Sequence, residues 1–125
     1  MAISYGTQVW GTADLNGDIV IGDNNNSFAF NVDDSLVSII IPQGTYKGNR
    51  DHFVSDIISL INTEVQAVNN NVFVRLGGVH LDNYTNVLII EHNDKNNSHS
   101  ISNFAGTAMS TIFGSVQFSL APRTV

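Results

Sequence analysis

Carboxylate, amide and histidine side chains fall into a few groups whose spacing limits the chemistry they could do. Asp14, Asn16 and Asp18 offer oxygens at alternate positions with Gly17 among them, the pattern of half a calcium loop. A complete loop needs Gly at its sixth position and a bidentate Glu at its twelfth, where this chain has Ile19 and Asn25. An ordinary turn rich in Asx residues is therefore expected. His80, His92 and His99 lie in the C-terminal half and converge if the strands that carry them are neighbours. Zinc sites show tighter ligand spacing, and Glu91-His92 is not part of a His-Glu-x-x-His helix motif, so surface histidines are expected. Asp51, His52 and Ser55 supply the residue types of a catalytic trio. Residues one and three apart do not all share a helix face, however, and a nucleophile normally sits on a strained turn beside an oxyanion hole. The expectation is a non-catalytic chain, with no cofactor and no metal ligand.

Tyr5, Trp10, Tyr46 and Tyr84 are the aromatics with polar handles, a type that stacks on sugars or anchors partners. Their scatter along the chain points instead to completing the core. The sequons Asn25-Asn26-Ser27, Asn83-Tyr84-Thr85 and Asn96-Asn97-Ser98 arise readily by chance in so Asn-rich a chain. Net charge is −6, and the five basic residues, Lys47, Arg50, Arg75, Lys95 and Arg123, are spread out. A nucleic-acid groove or a face for anionic membranes is thereby disfavoured. Cysteine is absent, which excludes disulfides and thiolate-bound metal and is compatible with an extracellular location. Met1 to Trp10 lacks the basic region and apolar core of an export signal, and no stretch has the length that spans a bilayer, so membrane insertion is not expected. If the protein is exported, either another route carries it or this chain is a module of a longer protein.

These residues must be positioned by a chain of 125 residues, a length that suits one domain, 1–125. Only 13% of it is charged against 42% hydrophobic, so its polarity comes mostly from Asn, Ser, Thr and Gly, as in a folded β-rich domain. The organising stretch runs from Leu36 to Asn69. Val37, Ile39 and Ile41 alternate with Leu36, Ser38 and Ile40, loading both faces as in a strand with little exposed surface. Pro42 and Gly44 then turn the chain. From Asp51 the period becomes helical, with Phe53, Val54, Ile57, Ile58, Ile61, Val65 and Val68 on one stripe and Asn62 largely on the other side. Asn49 is placed to cap this helix, and Asn69 to Asn71 to stop it.

Around that unit, Asp18 to Ile21 reads as a short strand, and Phe28, Phe30 and Val32 as a half-buried one. Asp33 and Asp34 turn it into an antiparallel hairpin with the Leu36 strand. Val72 to Leu76 alternates before the Gly77-Gly78 turn, and Val87 to His92 reads as a central strand. Asn93 to Ser100 is polar enough for an exposed loop. Ser100 to Phe104 reads as a strand, Gly106 to Gly114 holds one short helical turn, and Val116 to Leu120 forms a last strand before Pro122. Ala2 to Asp14 has no clear period and is expected to cover an edge or join a neighbouring module.

Phe28 to Val32, the run Ile39-Ile40-Ile41-Pro42-Gln43-Gly44-Thr45-Tyr46, and the helix through Ile58, Leu60 and the Ile61-Asn62 pair together resemble the flagellin hook IN motif of bacterial flagellins and hook-associated proteins. Val87 to Ile90 looks like the family's strand. Ser100-Ile101, Gly106-Thr107-Ala108 and Ile112-Phe113-Gly114 look like its closing segment, so the likeness covers most of 27–114. Full-length flagellar axial proteins carry long terminal helices that polymerise as coiled coils, and neither end of this chain shows heptads. The resemblance thus implies an outer module rather than the polymerising core.

The expected fold is α+β, an antiparallel or mixed sheet with one main helix packed on one face. The expected role is a structural, surface-exposed module of an extracellular bacterial filament or the cell surface, whose partners are neighbouring subunits. A virion component, such as a phage tail or capsid accessory domain, is the alternative. A carbohydrate-binding adhesin that takes a surface glycan is a third, because Asn-rich loops supply hydrogen bonds and aromatics supply stacking.

Overall fold

The computed structural model describes residues 4–15, 17–49, 54–77, 87–116 and 118–124. In chain order the elements are β1 (Ser4–Tyr5), β2 (Gln8–Trp10), β3 (Gly17–Ile21), β4 (Ser27–Val32), β5 (Ser35–Ile40), β6 (Gly44–Asn49) and β7 (Val54–Ser55). There follow α1 (Asp56–Val68), β8 (Val72–Gly77), β9 (Val87–His92), β10 (Ile101–Ala105), α2 (Met109–Ile112), β11 (Phe118–Leu120) and β12 (Arg123–Thr124). Among the described residues no helix is long and apolar enough to cross a membrane.

The α+β expectation is overturned. The chain is mostly strand, arranged in small sheets ordered β10-β4-β5, β11-β2-β9-β8, β3-β6-β7 and β1-β12, with α1 the one helix of more than a turn among the described residues. Nor does α1 rest on one face of one sheet. It packs against β8, β5 and β6, which belong to three different sheets. Its stripe Ile57, Ile58, Ile61 and Val65 is buried among them, whereas Val68 is exposed. The physical reason is that Gly44 to Asn49 is not a turn leading into a helix. It is a strand that pairs in five-residue register with β3, from Ile21↔Gly44 to Gly17↔Gly48. The helix start consequently moves to Asp56. Ser55, rather than Asn49, caps it by accepting a hydrogen bond from the Ile58 N–H (3.4 Å), and Asp56 stands in the positive first turn. The expected stripe residue Phe53 lies outside the described residues.

The hairpin of β4 and β5 forms as its pattern requires. Val32 pairs with Ser35 across Asp33 and Asp34, and Asp33 takes a positive φ of 54°, which Asp tolerates better than most residues. Phe28, Phe30 and Val32 point inward, where Phe28 and Phe30 join Phe104 and Phe113 with ring centroids 4.5 to 6.3 Å apart. These tilted and offset contacts are the ones that aromatic quadrupoles favour. Strand β5 departs from expectation. Val37 and Ile39 are buried, but Leu36 and Ile40 are 65% and 61% exposed on the opposite face of β5, the last strand of its sheet, because none of the described residues covers that face.

The N-terminal segment does more than cover an edge. Gln8, Val9 and Trp10 are all buried and form a central strand between β11 and β9, in register Trp10↔Ile89 and Trp10↔Phe118. Strand β9, also central, is buried at all six positions, as its double apolar loading implies.

Candidate functional site

Strand β9 ends at His92, whose N–H donates to the Thr7 carbonyl (2.8 Å) just ahead of β2. Gly6 is required at this crossing, since a side chain there would run into the His92 carbonyl. The chain then folds back through a polar loop shaped by Asp94. Asp94 Oδ1 accepts from the Asn96 and Asn97 N–H groups (2.9 and 3.2 Å), and Oδ2 accepts from Asn97 Nδ2 (3.2 Å). This Asx turn delivers His99 back beside His92, where its N–H donates to Thr7 Oγ1 (3.0 Å). The β4–β5 turn arrives from the other side. Asp33 donates its N–H to the Ser100 carbonyl (2.6 Å) and accepts the Ser100 N–H on Oδ1 (3.0 Å).

The result is a compact titratable cluster. His99 is held at both ring nitrogens, Nδ1 by Asp33 Oδ2 (2.9 Å) and Nε2 by Asp94 Oδ2 (2.8 Å). Its ring stacks on that of His92 with centroids 3.6 Å apart and planes inclined by 2°. Two acceptors demand two donors, so the geometry fits the imidazolium form of His99. Hydrogen bonds from Asp94 and then Asp33 raise the His99 pKa above the ordinary imidazole value. His92 shifts the other way. Burial, then the charge on His99, lowers its pKa, and the Asp94 N–H points at its Nδ1 (2.9 Å), which leaves the proton on Nε2 of a neutral ring. Asp94 and Asp33 are both held below the usual carboxylate range, Asp94 chiefly by its hydrogen bond to His99 and Asp33 chiefly by the Ser100 amide.

The expectation of surface histidines fails for His92, which is 6% exposed, because the sheet that carries it packs under the 93–100 loop. Oxygen and nitrogen ligand atoms of Asp33, His92 and His99 do lie within 4.8 Å of one another. Even so, the arrangement is one of hydrogen bonding. A metal ion sits close to the plane of each imidazole that binds it, at about 2.0–2.1 Å for zinc. Two nearly parallel stacked rings share no such point. The lone pair of His92 Nδ1 is already engaged by a backbone amide, and both His99 nitrogens face carboxylates. Both His99 nitrogens and His92 Nδ1 are thus taken up by hydrogen bonds within the cluster. A cavity of about 280 Å³ opens beside His99, walled by Thr7, Ser98, Ser100 and Ser119 over apolar Val9 and Leu120.

Other candidates disperse. Asp18 lies on β3 and pairs with Lys47 Nζ (3.3 Å), Asp14 is exposed, and Asn16 is outside the described residues. Asp51, His52, His80 and Tyr84 are also outside them. Ser55 is the helix cap, and Trp10 is core. Tyr46 donates its hydroxyl to the Pro42 carbonyl (2.6 Å).

Sequence reasoning missed a second polar centre. Glu91, 3% exposed, accepts from Gln8 Nε2 (3.1 Å) and Arg75 Nε (3.2 Å) on Oε1 and from the Gly6 N–H (3.3 Å) on Oε2. Gln8 Oε1 accepts in turn from Arg123 Nη1 (2.5 Å), and the Tyr5 ring lies 4.8 Å from the Arg123 guanidinium and 5.7 Å from that of Arg75. The available signal was a carboxylate inside an otherwise apolar central strand, which must find partners when buried. No protein-family model, no curated protein and no solved structure matches this chain.

Proposed function

We propose that this chain is a non-catalytic structural module exposed on an extracellular bacterial filament of the flagellin or hook-associated kind, where it contacts neighbouring subunits. The observation that carries the reading is the outer face of β5, on which Leu36 and Ile40 stand exposed at the edge of a sheet whose inner face is core. Apolar side chains at a strand edge suit a contact between copies or with a neighbouring subunit. The motif residues behind the likeness have roles in folding. Ile61 is fully buried, and Asn62 Oδ1 accepts the Val74 N–H (2.8 Å) at the edge strand β8, so the Ile-Asn pair ties α1 to a sheet edge. Among the described residues, His99 is engaged at both ring nitrogens by Asp33 and Asp94.

Light scattering across a concentration series at moderate salt tests this reading. A decorating module freed from polymerising helices is mainly monomeric with weak, reversible association, because its net charge of −6 opposes assembly. A closed ring that survives dilution contradicts it and favours a virion component, since such rings are held by large symmetric interfaces.

A further inference from the structure

We propose that His99 is a proton-operated latch: protonated, it fastens the 93–100 loop to the β4–β5 turn through Asp94 and Asp33, and neutral, it lets go of one of them. The inference stands apart from the filament reading. A neutral imidazole has a single N–H, so whichever tautomer forms, one of the two carboxylates loses its donor and faces a ring lone pair instead. Asp94 keeps three other donors, from Asn96 and Asn97, whereas among the described residues Asp33 keeps only the Ser100 amide. The tie to the turn is therefore the weaker one. It is also the one that matters for the fold, because the Asp33–Ser100 bonds lead directly into the β4–β10 ladder at Val32↔Ile101. Opening the latch loosens the start of β10 and the wall of the cavity beside His99.

The groups that set this equilibrium come from every side of the ring. Asp33 approaches from the β4–β5 turn, Asp94 from the loop, and His92 from the end of β9 as a neutral stacking partner. On the side of β2 and β11 the cavity presents Thr7 and Ser119 hydroxyls with Val9 and Leu120, none of which titrates. Because the His99 pKa is raised on folding, its contribution is complete below the unfolded imidazole value of about 6.5 and is lost as pH rises through the folded value. Asp33 and Asp94 are lowered, so their contribution is complete above the unfolded carboxylate value of about 4 and is lost as pH falls below it. The latch is closed between those limits.

Histidine NMR titration of the whole chain, combined with amide hydrogen exchange at Asp33 and Ser100, whose N–H groups bind across the turn, tests the proposal. The His99 ring should titrate above His92 and above free imidazole. Protection of the two amides, corrected for intrinsic exchange, should fall about tenfold between the closed and open limits for each unit by which the His99 midpoint exceeds the free value. Asp33→Asn should lower that midpoint while the rest of the spectrum stays native, and His99→Gln should make the protection independent of pH between about 7.5 and 9, above the range in which His92 titrates. A His99 midpoint at or below the free value would overturn the latch. So would protection that is unchanged across its titration, or a pH dependence that persists in His99→Gln.

Discussion

Glu91 shows how much a single side chain of this protein depends on distant partners. Its carboxylate is buried and held by Gln8, Gly6 and Arg75, so truncation removes the acceptor of Arg75 Nε on a guanidinium whose Nη2 is already buried without a hydrogen-bond partner among the described residues. Glu91→Ala should cost on the order of 3 kcal/mol in chemical denaturation. Arg75 retains some contact with water, at 30% exposure, which keeps the loss toward the lower end for a broken buried pair. A loss under about 0.5 kcal/mol, the range of ordinary surface substitutions, would show that the network is a spectator. This centre was not legible in the sequence beyond the oddity of a carboxylate among isoleucines, because its partners lie up to 85 positions away. The histidine cluster was half legible. The sequence left the meeting of His92 and His99 conditional on neighbouring strands, whereas the 93–100 loop brings His99 onto His92, and that Asp33 would join them depended on which way the β4–β5 turn faces.

At the scale of elements, periodicity carried the hairpin, the central strand β9 and the buried stripe of α1, since each is set by residues close in the chain. Three outcomes escaped it. Strand β2 is three residues long and owes its place to β9 and β11, and Gly44 to Asn49 follows its pairing with β3 rather than its turn residues. Asn62 lies on the side of α1 that periodicity marks as polar, yet its amide is occupied by a strand edge. That changes what substitution there should do. Ile61→Ala removes a fully buried side chain and should cost about 2–5 kcal/mol. Asn62→Ala leaves the Val74 N–H without its acceptor and should cost about 1–2 kcal/mol, more than a solvent-facing amide would. Urea titration with an unchanged slope measures both. A neutral Asn62→Ala would mean that α1 does not secure β8.

The whole molecule is a set of short-stranded sheets gathered around a main core, with Trp10, Val87 and Ile89 in a smaller separate cluster and α1 wedged between three of the sheets. The α+β expectation failed because the number of separate sheets is a long-range property that local pattern does not encode. Strands β3 and β11 stand at the ends of their sheets, but the edge strand that exposes apolar side chains is β5, whose double apolar loading suggested a covered strand. A strand loaded on both faces is covered in its native setting when it sits at a subunit contact. A contact through β5 is tested by amide chemical shifts recorded from dilute to millimolar protein. Concentration-dependent shifts should centre on Leu36, Ser38 and Ile40 and disappear in Leu36→Lys/Ile40→Lys with the fold intact. Shifts that centre elsewhere, or none up to millimolar concentration, would contradict it.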